Sequence, residues 1–209
     1  MKKRIGIAVL GLGWMGQAHS RAALRISSLF PDAEFKPELV VCADVEQSRR
    51  DRAVNDFGFA RAVAGFEEAV SAKDVDAVWV TAPNMLHVPM IAAAAAAGKA
   101  IFSEKPIGGT PAQTVEAYNI AKKHSTPTGV GYNYLWSPLV IHARELIKSG
   151  AIGRVTHYRG RFLSMYGSDE LGLLTWRFKF AQAGYGVTSD ILSHSVSLAH
   201  FLVGGISEV

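Results

Sequence analysis

Residues 4–16 read RIGIAVL-GLGWMG, a β-branched apolar run that passes directly into glycines at positions 11, 13 and 16. Few folds use that order. An apolar strand followed by closely spaced glycines and then a helix lets a backbone turn approach a pyrophosphate, while the helix presents its N–H groups and positive dipole end to it. Gly11, Gly13 and Gly16 have the spacing of the dinucleotide fingerprint. A purely structural strand-to-helix turn, or a methyl-donor nucleoside site on a related sheet, are the other readings of the glycines alone.

Downstream, apolar β-branched runs keep alternating with helical stretches, the signature of βαβ units and a parallel sheet. Strands are expected at Arg4–Leu10, Glu38–Ala43, Arg61–Val63, Ala77–Thr81, Ala100–Ser103 and Thr128–Gly131. Helices are expected between them, at about 16–29, after Asp44, around Phe66–Val70, at His87–Ala97 and from Pro111 to about His124. Past Gly131 the pattern changes. Pro138–Ser149 reads as a helix closed by Gly150, Arg154–Leu163 alternates like a half-exposed strand, and a helix is expected over Val187–Leu202. The expected fold class is α/β. A doubly wound parallel Rossmann sheet over residues 1–131 is followed, over 132–209, by the beginning of an α+β domain with an open, mainly antiparallel sheet. One long strand cannot bury its own face, and a further strand is expected after Gly204-Gly205.

Asp44 ends the second strand, where a carboxylate can accept hydrogen bonds from the adenosine ribose hydroxyls. Its distance from Gly16 exceeds the usual spacing, and Ser27–Pro37 reads as an inserted loop that absorbs the excess. A carboxylate there repels a 2′-phosphate, so NAD is favoured. Arg49 and Arg50, a helical turn on, keep NADP open. Asp44 can also serve the start of the following helix.

Composition narrows the classes further. With 49% apolar and 19% charged residues the chain reads as a packed globule. A net charge of +4 from scattered cations, with only Lys2-Lys3-Arg4 and Arg49-Arg50 clustered, makes no nucleic-acid stripe. The single cysteine, Cys42, reads as a small core residue of a reducing compartment. The apolar run after Lys2-Lys3-Arg4 is short, is broken by Gly6 and Gly11, and lacks a cleavage pattern. No apolar run approaches the roughly 20 residues of a membrane span. A soluble, cytoplasmic protein is expected. His142 and Glu145 have helical ligand spacing but no partner ligands, so no metal is expected.

Several segments together resemble the Gfo/Idh/MocA oxidoreductases. They are Thr81-Ala82-Pro83-Asn84-Met85-Leu86-His87, the alanine-rich helix with Gly98-Lys99, and Ser103-Glu104-Lys105-Pro106. Leu146–Gly153, Trp176-Arg177 and Asp190-Ile191-Leu192-Ser193-His194 follow in the same order as in that family. The resemblance implies an active-site lysine at Lys105 and an aspartate and histidine of sugar and polyol dehydrogenases at Asp190 and His194. It implies cofactor contacts from the turn that includes Trp14 and Met15, from Thr81, Pro83, Asn84 and His87, and from Glu104 and Lys105. Asn133, Trp176 and Arg177 fall where substrate is held. It also implies a small sugar or polyol substrate and a homo-oligomer formed through the second domain. Two departures touch the pocket: Tyr185 interrupts a glycine triplet, and Ser197 stands where an aspartate is usual.

Alcohol oxidation needs a hydride acceptor, a base and a positive group at the developing alkoxide. On one continuous helix Asp190 and His194 share a face, and the aspartate would orient and support a histidine base. Lys105 follows the fifth strand, at the edge where open α/β sheets bind ligands. The expected activity is NAD(P)-dependent hydride transfer with a secondary alcohol of a sugar or cyclic polyol. A non-catalytic NAD(P) sensor and a sugar–sugar oxidoreductase with tightly held NADP are the rivals.

Overall fold

In the computed structural model, which describes residues 2–208, β1 (Lys3–Leu10) lies at the centre of a sheet. Ile7, Ala8, Val9 and Leu10 are all buried, as a strand covered on both faces requires. The other strands are β2 (Phe35–Ala43), β3 (Arg61–Val63), β4 (Ala77–Val80), β5 (Ala100–Ser103) and β6 (Thr128–Val130). The order is β3-β2-β1-β4-β5-β6, and every neighbouring pair is parallel. The order reverses between β1 and β4, and a crevice outside the carboxyl ends of the strands opens at such a reversal.

Alternate residues of the strands feed two cores. Ala8, Leu10, Val78, Val80 and Ile101 face α3 (Phe66–Ser71), α4 (His87–Ala96) and α5 (Pro111–His124). Ile7, Val9, Leu39 and Cys42 face α1 (Trp14–Leu29) and α2 (Gln47–Phe57). The helix ends follow local chemistry. Phe30 caps α1 just ahead of Pro31, and α2 stops at Gly58, whose φ of +70° any side chain would strain. Thr110 caps α5 by accepting from the Gln113 N–H at 3.2 Å, with Pro111 in the first turn.

No inserted loop separates α1 from β2. Ser27–Leu29 belong to α1, and β2 already starts at Phe35, so the excess length lies in the helix and strand themselves. Pro37 is tolerated because β2 pairs only with β1 there; β3 joins it from Val41 onwards.

The chain divides after Val130 into two compact units. The second holds α6 (Pro138–Lys148), short helices α7 (Phe180–Ala183) and α8 (Val187–Asp190), and α9 (Leu192–Val203). α6 packs on α9, with the Arg144 guanidinium 4.1 Å from the Phe201 ring centre. This unit departs from the sequence pattern at two places. Residues 154–163 form no strand, because a strand exists only through a paired edge and nothing else in this unit supplies one among the described residues. The helix expected over Val187–Leu202 breaks at Ile191. Around the break the Ser189 and Ser193 hydroxyls donate to the carbonyls of Gly186 (3.1 Å) and Asp190 (3.3 Å), a local alternative to the helical ladder. Among the described residues no helix is long and apolar enough to cross a membrane.

Candidate active site

The three glycines of the first turn have three different jobs. Gly11 sits at φ +92°, and a Cβ there would lie 2.8 Å from the Ala82 backbone. A Cβ on Gly16 would lie 2.0 Å from the Gly11 carbonyl oxygen, so α1 lies against the turn only because that side chain is missing. A Cβ on Gly13 would meet nothing within 4 Å. Gly13 is the N-cap of α1, so the open space lies where the helix presents its free N–H groups. That cradle fits a pyrophosphate.

Asp44 borders the same turn. Its buried carboxylate accepts from the Leu12 N–H at 2.6 Å and, through its other oxygen, from the Glu46 N–H at 2.9 Å. It therefore ties the glycine turn to the end of β2 and supports the turn into α2, whose N-cap is Glu46 rather than Asp44. Arg49 Nη1 stands 3.5 Å from the same carboxylate, and its side chain is half exposed. Arg50 is turned away, donating to the carbonyls of Asp44 (2.6 Å) and Val45 (3.0 Å).

At the end of β4, Thr81 works on the turn itself: its hydroxyl lies 2.5 Å from the Gly11 carbonyl and 3.0 Å from that of Leu10. Asn84 is buried in a short 3₁₀ turn over Asn84–Leu86 that follows Pro83. His87, expected to contact cofactor, is 0% exposed and clamps two loops instead. Its Nδ1 faces the Pro106 carbonyl at 2.9 Å and its Nε2 the Ala82 carbonyl at 2.8 Å. Burial pushes the His87 pKa down, against the two carbonyls and nearby Glu104, which favour the charged ring. Trp14 is 73% exposed at the start of α1, and Met15 beside it is half-buried.

After β5 come Glu104, buried, and Lys105, half-buried. One Glu104 oxygen accepts from the Lys105 N–H at 3.1 Å; the other lies 2.6 Å from His19 Nε2. His19 was not among the residues singled out from the sequence. The only signal was its place three residues past Gly16, on the face of α1 that meets the sheet.

In the second unit, His194 is buried in a nest of rings. Phe162 stacks on it at 5.7 Å and 13°, and Tyr134 and Tyr132 meet it edge-on at 4.7 and 5.9 Å. Burial raises the pKa of the Tyr132 hydroxyl, opposed by its hydrogen bond with Ser193. Asp190 Oδ2 lies 3.8 Å from Arg177 Nε, and the Arg177 guanidinium lies over the Trp176 ring at 4.6 Å. An open cleft of about 430 Å³, lined by Phe162, Tyr166, Arg177, Phe180 and Asp190 among others, runs past this pair. Asn133 is exposed in a 3₁₀ turn over Asn133–Trp136. Asp190 ends α8 and His194 lies in the first turn of α9; Ile191 between them keeps right-handed helical angles (φ −100°, ψ −46°), so the two residues remain about one helical turn apart. Among the described residues no cluster of three metal-ligating side chains occurs.

Comparison with known proteins decides the family. Residues 5–132 match the Gfo/Idh/MocA model described as an oxidoreductase family with an NAD-binding Rossmann fold, and residues 140–209 match a Gfo/Idh/MocA C-terminal domain. The chain belongs to the Gfo/Idh/MocA family. Among the relatives of this Gfo/Idh/MocA chain is a levoglucosan dehydrogenase from Pseudarthrobacter phenanthrenivorans. It is 33% identical over 207 residues, which cover 99% of this chain and 53% of the relative. A scyllo-inositol 2-dehydrogenase (NAD(+)) from Bacillus subtilis is 26% identical over 204 residues, covering 98% and 55%. A solved levoglucosan dehydrogenase in complex with NADH and levoglucosan superposes with a TM-score of 0.94 at 33% identity, covering 98% of this chain and 55% of that one. The chain spans about half the length of the curated relatives it matches. The first unit is thus a Gfo/Idh/MocA NAD-binding Rossmann fold.

Proposed function

We propose that the protein is an NAD-dependent dehydrogenase that oxidises a secondary alcohol of a sugar or cyclic polyol, acting in the cytoplasm. The observation that carries this reading is the arrangement at one edge of the sheet. The open Gly13 cradle, the buried Asp44 carboxylate and Lys105 all follow the carboxyl ends of parallel strands, on either side of the reversal between β1 and β4. When bound there, the nicotinamide supplies the hydride acceptor. The first-turn N–H groups hold the pyrophosphate and Asp44 accepts from the adenosine ribose. The loops carrying Asn84 and Glu104 line the nicotinamide side, with Trp14 and Met15 at the mouth.

For the substrate, the named activities of the levoglucosan and scyllo-inositol dehydrogenases point to a cyclic polyhydroxylated ring. In this reading Lys105 orients the reacting oxygen, His194 takes its proton, and Asp190, with Arg177 beside it, supports His194. Trp176 and Asn133 complete the substrate side. The second unit forms the contacts of a homo-oligomer. Arg49 favours one refinement: a cation 3.5 Å from Asp44 softens the exclusion of a 2′-phosphate, so NADP is a poor but measurable cofactor. The test is a screen of anhydrosugars, inositols and hexoses with NAD, following reduced nicotinamide by absorbance. Turnover is expected on at least one cyclic polyol and is expected to be lost in His194→Gln. Unchanged turnover in that variant would remove His194 from the mechanism.

A further inference from the structure

The Glu104 carboxylate sits at the end of β5, almost out of solvent, and both of its oxygens are held. A carboxylate accepts only, so the 2.6 Å contact with His19 is a bond donated by Nε2–H. The second oxygen accepts the backbone N–H of Lys105 at 3.1 Å. The imidazole is fixed in turn. Its ring meets Phe102 of β5 edge-on at 5.2 Å and Trp79 of β4 at 5.8 Å. α1 brings it there because Gly16, Ser20 and Ala23 are small and buried, which sets the helix close to the sheet. A chain of contacts therefore runs from two aromatic rings through His19 and Glu104 to the main chain of Lys105.

We propose that His19 is a positioning residue: by donating to Glu104 it fixes the carboxylate that holds the backbone of Lys105, and so sets where the lysine stands at the cofactor edge. The inference rests on the reading of Lys105 as the group that orients the substrate oxygen. A 1 Å displacement of such a group costs up to about a hundredfold in rate. Binding of the cofactor through the Gly13 cradle and Asp44 does not involve this chain of contacts.

Two variants separate positioning from packing. His19→Phe keeps a ring against Trp79 and Phe102 and deletes the donor, whereas His19→Gln keeps a donor of similar reach. In the cofactor-free protein, the ¹H–¹⁵N signal of the Lys105 amide is expected to shift and to exchange faster with solvent in His19→Phe, and to return towards wild type in His19→Gln. With NAD and a sugar, kcat is expected to fall on the order of tenfold to a hundredfold in His19→Phe while the Kd of NADH stays within about twofold, and His19→Gln is expected to recover most of the rate. An unmoved Lys105 amide in a folded His19→Phe protein would overturn the proposal, as would an NADH Kd that rises in step with the loss of kcat. If His19→Phe does not fold, Glu104→Gln is the second probe and must displace the same amide signal. If the wild type oxidises no sugar, the dehydrogenase reading fails, while the amide signal still decides the role of His19.

Discussion

Two glycines of the same turn predict opposite behaviour on the same substitution. Gly16→Ala puts a methyl 2.0 Å from the Gly11 carbonyl, where only backbone can give way, so both stability and NADH affinity fall. The expected stability loss is about 1–3 kcal/mol, the usual cost of forcing extra volume into a packed contact. Gly13→Ala meets no protein atom, and its φ of −63° suits alanine. Its melting temperature is expected to change little, the N-cap preference for glycine over alanine offsetting the lost chain entropy, while NADH binding by fluorescence titration weakens because the methyl fills the cradle. Equal NADH affinity in Gly13→Ala and wild type would show that the cradle holds no pyrophosphate. Asp44 is open to a similar test. In Asp44→Asn an amide NH₂ must face one of the two backbone N–H groups that the carboxylate satisfies. Stability is expected to drop by about 1–3 kcal/mol. The preference for NADH over NADPH is expected to narrow, measured as the ratio of the two Kd values, because the charge that repels the 2′-phosphate is gone.

At the scale of elements, Cys42 tests how well β2 is sealed. Burial in the second core, with Asp44 adding to the effect, pushes its thiol up to about 12. The native thiol is therefore expected to resist a thiol reagent at mildly alkaline pH and to react fully once the protein is denatured. The folded protein holds the thiol proton more tightly than the unfolded chain, whose thiol ionises near 9.0. Its contribution to stability is thus intact below about pH 9 and is lost as the pH rises towards 12. Rapid labelling of the folded protein would mean that β2 opens locally. The strands of this sheet were legible in the sequence because each is an apolar β-branched run closed by Gly, Pro or a polar residue. The break at Ile191 was not, since serine hydroxyls that bond backwards look the same in sequence as exposed helical serines. Residues 154–163 alternate like a strand, but alternation records a face to be buried and says nothing of a partner edge. Around the first turn, Gly11, Gly13 and Gly16 were readable from spacing and Asp44 from its place at the end of the second strand, because all four are local to one βαβ unit. His19 and the true task of His87 were not. Both act on loops 85 and 19 residues away in sequence, which only the fold brings close.

For the whole molecule, the division after Val130 separates a unit with two full cores from one that exposes much of its apolar surface. Leu163, Leu171 and Leu173 are each nearly 90% exposed. Exposed leucines in one segment call for a cover, either further chain or a second copy. If that surface makes the proposed homo-oligomer, Leu171→Ser with Leu173→Ser is expected to shift sedimentation towards the monomer, with thermal stability of the first unit unchanged. Identical sedimentation of variant and wild type would place the oligomer contacts elsewhere. The proposed hydride transfer from a sugar carbon to the nicotinamide can be followed by isotope. A sugar substrate deuterated at its reacting carbinol carbon is oxidised with unlabelled NAD, and the reduced cofactor is weighed by mass spectrometry. Reduced nicotinamide that carries the deuterium is expected from the wild type and not from a Lys105→Ala protein that still binds NADH. Unlabelled reduced cofactor, or full activity without Lys105, would contradict the proposal.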